Sequence, residues 1–282
     1  MPKKELVVER KANKTTLARN LGIARSLLYY KHKKPEKDWE LKQEIEKVLR
    51  EYPGYGHRRI ALSLNINKKR IRRVMKLFGI KPYRRRGIKF RKKSKKSTTS
   101  YSNLLISNFP QYPHYAWASD FTHIGYKGKL VYLATIIDLF TREVVGFSVR
   151  MDHSVHLTMT ALLSAVHKYP TPSILHSDHG SEYVSKDYTG LCINLGINIS
   201  MSAKGCPWEN GYQESFYDKF KIDLGDPNRF DSLGELVYAI YQTICIYNTS
   251  RIHTALKMSP LKFKKKFSEE FLAERVSKEW GA

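Results

Sequence analysis

Residues 116–138 read AWASDFTHIGYKGKLVYLATIID, and this stretch decides the fold. Its β-branched and aromatic residues predict a strand over residues 116–124, a hairpin turn over 125–129 and a second strand over 130–138. A carboxylate, Asp120, lies inside the first strand. Burying a carboxylate is costly unless it is paired or binds a metal. The stretch therefore predicts a β-sheet and marks a site within it.

The residues that follow extend this sheet. A third strand is predicted over residues 143–149, and short strands over 174–177 and 197–201. Amphipathic helices are predicted over three further ranges, residues 154–169, 185–195 and 208–224. The order βββαβαβα indicates an α/β protein with a mixed five-stranded sheet and flanking helices. This is the order of elements in the ribonuclease H-like fold.

Two more acidic residues are candidates for the same site as Asp120. Asp178 follows a strand beside a glycine loop, where α/β sheets place ligands. On the predicted helix over residues 208–224, Asn210, Glu214 and Lys221 fall within an arc of roughly 40°. Glu214 is thus placed to ligate a metal while Lys221, two turns later, meets a phosphate.

Three acidic oxygen ligands suit Mg²⁺ or Mn²⁺ rather than zinc. Two such ions about 4 Å apart activate an attacking oxygen and stabilise the leaving one in phosphodiester chemistry. The attacking oxygen belongs either to water or to a DNA 3′-hydroxyl. On spacing alone, the alternative that the three are ordinary surface or capping acids stays open. On composition alone, five other acids compete with them: Asp138, Asp152, Asp187, Glu209 and Asp218.

The net charge of +24 indicates a polyanionic partner, and nucleic acid is the commonest one. Residues 1–100 contain 32 basic and 8 acidic side chains, which accounts for the whole excess. No apolar run approaches the roughly 20 residues of a membrane span. The cysteines Cys192, Cys206 and Cys245 form neither a disulfide framework nor a zinc-binding pair. We expect no membrane partner and a location in the bacterial cytoplasm, associated with the nucleoid.

The basic first third predicts two helical modules. Residues 15–30 suit two short helices about Gly22, which is either a helix-turn-helix or an ordinary helical hairpin. Helices are also predicted over residues 39–51, 57–64 and 68–78. The last has one apolar face, and its remaining positions carry cations without any acid, which suits a reader of the DNA major groove. These predicted DNA contacts are Lys68, Lys69, Arg70, Arg72, Arg73 and Lys76.

A basic segment follows these helices. Residues 81–96 contain ten Lys or Arg and no acid, and we expect them to stay disordered until they meet phosphate. Arg84, Arg85 and Arg86 are its predicted DNA contacts. The predicted domain organisation is a helix-turn-helix-like segment over 1–36, a helix-turn-helix DNA-binding domain over 37–80, a basic linker over 81–112, a ribonuclease H-like core over 113–262 and a C-terminal helical tail over 263–282.

Five sequence motifs resemble one known family. They are W-A-S-D-F-T at 117–122, H-S-D-H-G-S-E-Y at 176–183, P-W-E-N-G-Y-Q-E-S-F at 207–216, Y-N-T-S-R-I-H-T-A-L-K-M-S-P at 247–260 and Y-P-G-Y-G-H-R-R-I at 52–60. The chain resembles the DDE transposases of bacterial insertion sequences, specifically the catalytic OrfB product of the insertion-sequence-three family. These enzymes share the retroviral integrase core. The interval of 35 residues between Asp178 and Glu214 matches that family, as does Lys221 seven residues after the glutamate.

The resemblance implies roles for individual residues. Asp120, Asp178 and Glu214 are implied to be the catalytic triad that binds two Mg²⁺ or Mn²⁺ ions, with Asp120 bridging both. Lys221 is implied to hold DNA near the scissile phosphate, and Asn210 to help shape that site. The further residues assigned to DNA are Lys204, Arg251 and His253. For Arg251 and His253, the alternative is that they fasten the C-terminal helix to the core.

The resemblance also implies a function and partners. It implies a transposase that binds terminal inverted repeats, cleaves DNA strands and joins their 3′-hydroxyl ends to target DNA. Double-stranded DNA is the expected partner, bound by at least a homodimer. Because no sustained heptad repeat is present, we expect the downstream reading-frame product, acting with or without fusion to an upstream product. Two alternatives remain, a non-catalytic DNA-binding regulator or inhibitor and a ribonuclease H-like nuclease without strand transfer.

Overall fold

The computed structural model describes residues 14–26, 34–84, 101–203 and 206–280. Its sheet has five strands in the order β3-β2-β1-β4-β5. Strands β1, β2 and β3 pair antiparallel, whereas β4 pairs parallel with β1 and β5 pairs parallel with β4. The predicted mixed five-stranded sheet is confirmed. The strand bounds are Ala116–Tyr126 for β1, Lys129–Asp138 for β2, Val144–Arg150 for β3, Ile174–Ser177 for β4 and Asn198–Met201 for β5.

The first hairpin differs from its prediction, because β1 and β2 pair as far as Tyr126 and Lys129. Only Lys127 and Gly128 form the turn, with φ of +45° and +77°. Two consecutive residues with positive φ make the tight two-residue turn whose twist matches the strands. The predicted five-residue turn was therefore too long.

Helices cover both faces of the sheet and create two apolar cores. Trp117 and Ala134 lie in the core beneath α5 and α6, and Leu133 and Val144 lie in the core beneath α7 and α8. Gly146 in β3 allows α5 to approach closely, because a Cβ there would lie 2.5 Å from the carbonyl oxygen of Ala161. Numbered along the chain from its N-terminal end, these four helices are α5 at Val155–Val166, α6 at Lys186–Asn194, α7 at Gly211–Leu224 and α8 at Leu233–Thr249.

A separate apolar core joins three helices of the basic third. Its fully buried side chains include Ile45, Ile60, Ile71 and Val74. Asn67 caps the last helix by accepting a hydrogen bond from the Lys69 backbone N–H at 2.9 Å. The helices are α2 at Lys34–Glu51, α3 at His57–Ser63 and α4 at Lys68–Leu77. Helix α2 starts five residues before its prediction, because a helix tolerates proline, here Pro35, in its first turn.

Preceding them, α1 spans Lys14–Asn20 and ends at a turn where Gly22 has φ of +61°. The predicted second helix of this segment falls mainly on residues outside the described ranges. Arg85 and Arg86 of the basic linker and Lys204 also lie outside them.

The described end of the predicted linker packs on the sheet. Residues Leu104–Ile106 form a 3₁₀ turn, and the Leu104 N–H donates to Ser200 Oγ at 2.9 Å. The Met201 N–H also donates to the Ser102 carbonyl. The two bonds hold this stretch against β5, the edge strand of the sheet, and so against the core.

The last helix, α9, spans Pro260–Trp280 and begins before the predicted boundary at residue 263. Its Phe267 ring contacts that of Phe140, and Lys264 pairs with Glu143 at 3.0 Å. The helix thus starts on the core rather than beyond it. Among the helices of the described ranges, none is long and apolar enough to span a membrane.

The segment after α8 joins the N-terminal helices to the core. The Ile252 N–H donates to Tyr55 Oη at 2.6 Å, and Arg59 Nε donates to Thr254 Oγ1 at 3.0 Å. Nearby, a Cβ added to Gly54 would lie 3.1 Å from Ile222 of α7. The loop at Gly54, between α2 and α3, is therefore in direct contact with α7.

Candidate active site

Asp120 lies in the middle of β1, opposite Thr135 of β2. Its Oδ1 accepts a hydrogen bond from the Phe121 N–H at 2.8 Å. Burial raises the pKa of this carboxyl to about 7, and the negative charge of Asp178 adds to the effect. Glu214 raises the pKa further, whereas the Phe121 hydrogen bond and the charge of Lys221 oppose the shift. The structure thus brings Asp178, Glu214 and Lys221 within electrostatic reach of Asp120.

Asp178 follows β4, the parallel neighbour of β1. Its Oδ1 accepts from the Gly180 N–H at 2.9 Å, which fixes the carboxylate beside the strand end. A Cβ on Gly180 would lie 3.0 Å from Glu182 Oε2 and 3.2 Å from Asp178 Oδ1. Glycine thus leaves both carboxylates room to lie close to the backbone of this loop.

Glu214 stands exposed in the first turn of α7. Partial burial raises its pKa, and the neighbouring charge of Asp218 adds to the shift. Lys221, seven residues later, lies about 20° away around the same helix. Lys221 also lines a cavity of about 640 Å³ that reaches Tyr83, which follows α4.

The helix predicted over residues 208–224 requires a correction at its start. Residues Pro207–Asn210 form a 3₁₀ turn, and the α-helix begins only at Gly211. A helix running through from residue 207 would carry Gly211 in its interior, where glycine is unfavourable. Asn210 therefore does not share the helical arc of Glu214. It is buried, and its Oδ1 has no hydrogen-bond partner.

A buried polar network fixes α7 against the strands at this site. Gln213 Nε2 donates to the carbonyl oxygen of Ala118 at 2.6 Å and to that of Thr135 at 3.2 Å. Tyr217 Oη donates to the carbonyl oxygen of Asp120 at 2.6 Å. Thr135 Oγ1 completes the network by donating to Gln213 Oε1 at 3.1 Å. The residues that make these bonds lie on either side of Glu214 in the sequence. The bonds therefore fix the position of Glu214 along β1.

Gln213 and Tyr217 were not predicted from the sequence as residues of the site. A signal for them existed, because positions 213, 217, 220 and 224 recur at helical spacing and form the buried face of α7. Polar side chains on such a face need partners, and here they bind the strand that carries Asp120.

The donor set fits Mg²⁺ or Mn²⁺, since hard cations prefer carboxylate oxygens. Asp120 supports this fit, because its surroundings disfavour its own negative charge and a cation relieves that cost. Within the described ranges, however, no three His, Cys, Asp or Glu side chains come close enough to form a ready metal site. The three carboxylates are gathered on one side of the sheet without forming a closed ligand shell.

The predicted DNA contacts of α4 all lie on its solvent face, while Ile71, Val74 and Met75 are buried. Arg73 differs from the others, because both its terminal nitrogens donate to the Asp38 carboxylate, at 2.7 and 2.5 Å. Arg84 is exposed at the end of its described range. The remaining cations of this face are all exposed: Lys68, Lys69, Arg70, Arg72 and Lys76.

Arg251 and His253 lie in the segment that joins the core to the N-terminal helices. Arg251 is 2% exposed, and its Nε donates to the Asp223 carboxylate of α7. Burial and four nearby cations lower the pKa of His253 to about 4. This geometry supports the fastening role that the sequence left open for Arg251, and DNA contact by either residue remains a prediction.

The sequence of the chain matches models of known protein families and known transposases. An integrase core domain model matches residues 110–207, and a second integrase core domain model matches residues 195–260. The chain is 34% identical over 258 residues to the transposase for insertion sequence element IS904 of Lactococcus lactis, covering 83% of this chain and 98% of that protein. The chain belongs to the DDE transposases of the insertion-sequence-three family. This transposase is also 31% identical over 267 residues to the putative transposase InsK of IS150 from Escherichia coli, covering 88% and 92% of the two chains.

Among solved structures, the transposase resembles a chain of the simian T-cell lymphotropic virus intasome. The TM-score is 0.50 at 18% identity, over 72% of this chain and 69% of that one. At this level of identity the likeness concerns the fold alone. It agrees with the ribonuclease H-like sheet described above.

Proposed function

We propose that this transposase binds the terminal inverted repeats of an insertion sequence, cleaves DNA strands there and joins the 3′-hydroxyl ends to target DNA. The observation that carries the proposal is Asp120. It is a carboxylate within a central strand of an integrase core, and its pKa is raised by burial and by the charges of Asp178 and Glu214. An isolated buried charge of this kind destabilises a fold, whereas a bound divalent cation compensates it.

Asp120, Asp178 and Glu214 are the residues proposed to hold Mg²⁺ or Mn²⁺, two ions per site. When bound, the ions activate the attacking oxygen and stabilise the leaving oxygen of the phosphodiester. Lys221 supplies the positive charge beside these carboxylates that attracts the reacting phosphate. Gln213 and Tyr217 keep Glu214 at the level of Asp120 through their bonds to β1.

The helices over residues 34–84 are proposed as the DNA-binding domain. Its α4 presents a solvent face of cations, which suits insertion into the major groove. Arg84, Arg85 and Arg86 are proposed to follow the DNA backbone beyond it. The catalytic core is proposed to begin with the packed segment at residue 101 and to continue into α9.

Chemistry on two ends of one element requires at least two active sites, so we propose a homodimer or larger assembly on DNA. An upstream reading-frame product or a fusion with it remains part of this proposal. Neither the regulator nor the simple nuclease is favoured, because the chain matches insertion-sequence transposases over most of its length.

The experiment uses the purified chain, alone and with its upstream product, a duplex carrying one terminal repeat, a target plasmid and Mg²⁺. We expect both cleaved ends and ends joined to the plasmid. Asp187→Asn, which removes an exposed carboxylate from α6, is the control and should retain both products. Cleavage without joining would favour a nuclease, and repeat binding without either product would favour a regulator.

A further inference from the structure

A second pocket lies on the other side of the catalytic helix. It has a volume of about 430 Å³ and lies between the first turns of α7, the turn after β2 and the segment after α8. Arg142, Tyr212, Ser215, Lys219 and His253 are among its lining residues. No step of the proposed chemistry uses these side chains.

Arg142 is held in the pocket by its backbone and by an aromatic ring. Its φ of +65° is unusual for a residue other than glycine. Its guanidinium carbon lies 4.0 Å from the centre of the Tyr212 ring, which indicates a cation–π contact. The buried Nη1 atom has no hydrogen-bond partner. An oriented guanidinium donor without an acceptor is what a bound anion satisfies.

Lys219 provides a second fixed cation. Its Nζ donates to the carbonyl oxygen and the Oγ of Ser215, at 2.7 and 2.6 Å. Around α7, Lys219 lies about 140° from Glu214. The pocket therefore faces away from the carboxylates, and an anion in it is not the phosphate at the reacting centre.

The surroundings of the pocket carry an excess of positive charge. Arg142, Arg59, Arg251 and Lys219 all act on buried His253, whose low pKa keeps it neutral. Two carboxylates, Asp218 and Asp223, act on Lys219 in the opposite sense. Four cations thus face two acids in a partly buried region.

Two features make an anion the matching ligand. Gly211 and Tyr212, in the first turn of α7, also line the pocket, and the start of a helix favours negative charge. Partly buried positive charge in excess is costly until an anion neutralises it.

We propose that this pocket binds a phosphate group of the DNA backbone, at a contact separate from the scissile phosphate. The inference rests on the proposed function, since it takes DNA as the ligand. A planar guanidinium and a fixed ammonium suit the tetrahedral oxygens of phosphate. Such a contact fixes where the duplex lies on α7, the helix that carries Glu214, and so sets register rather than sequence preference.

The test measures binding of the full chain to a terminal-repeat duplex without catalysis, in EDTA. Each phosphate in turn is replaced by an uncharged methylphosphonate. The variants are Arg142→Gln and Lys219→Gln, and the control is Lys186→Gln, which removes an exposed charge from α6. Thermal unfolding checks that every variant is folded, and Arg142→Lys restores the charge without the planar fork.

We expect each pocket variant to bind about tenfold more weakly, and its logarithmic salt slope to fall by about one. One particular methylphosphonate should weaken the wild type and the control but have no added effect in the pocket variants. If the variants respond to every methylphosphonate as the wild type does, the inference is overturned while the proposed function stands. Failure of the wild type to bind duplex DNA at low salt overturns both.

Discussion

Gln213 donates through its side-chain amide to the carbonyl oxygen of Ala118 at 2.6 Å, two residues before Asp120 in the same strand. Because Glu214 follows Gln213 in α7, this bond fixes the position of the Glu214 carboxylate relative to that of Asp120 in β1. The amide is fully buried, and no water competes for it. The height of α7 along β1 is therefore set by a residue that takes no part in the proposed chemistry.

Replacing Gln213 with Leu should lower stability and impair the metal site. Two backbone carbonyls and the Thr135 hydroxyl each lose one hydrogen bond, at a cost of about 1–3 kcal/mol. We expect the Mg²⁺ concentration that gives half-maximal cleavage to rise about tenfold, since misplaced ligands bind metal less well. Phe220→Leu, a change on the same buried face without polar loss, is the matched control. An unchanged metal requirement in Gln213→Leu would contradict the positioning role.

The Asp120→Asn variant should be more stable than the wild type at alkaline pH in EDTA. Below about pH 4 the wild-type carboxyl is protonated in both states, whereas above about pH 7 it is charged in both. Since the folded state disfavours that charge, wild-type stability falls as the pH rises between these values. At pH 8 we expect the variant to gain up to about 4 kcal/mol, at about 1.4 kcal/mol for each unit of pKa shift.

Urea unfolding at pH 8 and pH 4 measures this difference. The gain of Asp120→Asn should nearly vanish at pH 4. Adding Mg²⁺ at pH 8 should raise the unfolding midpoint of the wild type and leave that of the variant unmoved, because a ligand stabilises only a state that binds it. Equal stability of both proteins at both pH values would refute the raised pKa.

Arg72 and Arg73 should contribute unequally to DNA binding, although they are adjacent on α4. Arg73 is engaged with Asp38 through two hydrogen bonds, and this pairing raises its pKa and fixes its direction. We expect Arg72→Gln to weaken binding to a terminal repeat about tenfold and Arg73→Gln to weaken it less. Titrations by fluorescence anisotropy over a range of salt concentrations provide the comparison. Equal losses would show that the pairing with Asp38 does not restrain Arg73.

Tyr55→Phe should loosen the contact between the N-terminal helices and the core. The variant leaves the Ile252 N–H without its 2.6 Å acceptor, at a cost of about 1–3 kcal/mol. The aromatic ring and its stacking on Tyr52 are kept. Calorimetry should show the melting of the helical module separating from that of the core, whereas Tyr238→Phe, which removes an exposed hydroxyl from α8, should leave the two melting together. A single unshifted transition in Tyr55→Phe would mean that this bond does not couple the units.

Local sequence signals were sufficient for the sheet and most of its helices. Alternation of apolar residues located the strands, and β4 was predicted with its observed ends at Ile174 and Ser177. The predicted element boundaries were wrong where a few residues determine the type of turn. The two-residue turn at Lys127 and Gly128 extends β1 and β2, and the 3₁₀ turn before Gly211 displaces Asn210 from the arc of Glu214.

Contacts between distant segments were not readable from the sequence. The pairing of Arg73 with Asp38, and of Arg251 with Asp223, depends on tertiary packing of segments that are separate in sequence. The bond between Ile252 and Tyr55 joins residues nearly two hundred positions apart. No periodicity encodes such partners. For the same reason the pocket at Arg142 and Lys219 emerged only from the folded chain.

The central claim is that Asp120, with Asp178 and Glu214, acts through a divalent metal to join DNA. The most direct test supplies a pre-cut terminal repeat with a free 3′-hydroxyl, a target plasmid and Mg²⁺, and measures joined product. The account predicts that Asp120→Asn joins more than about a hundredfold less than the wild type, since loss of a direct ligand should exceed the losses seen when outer residues are changed. Joining by Asp120→Asn at the wild-type rate would contradict the account.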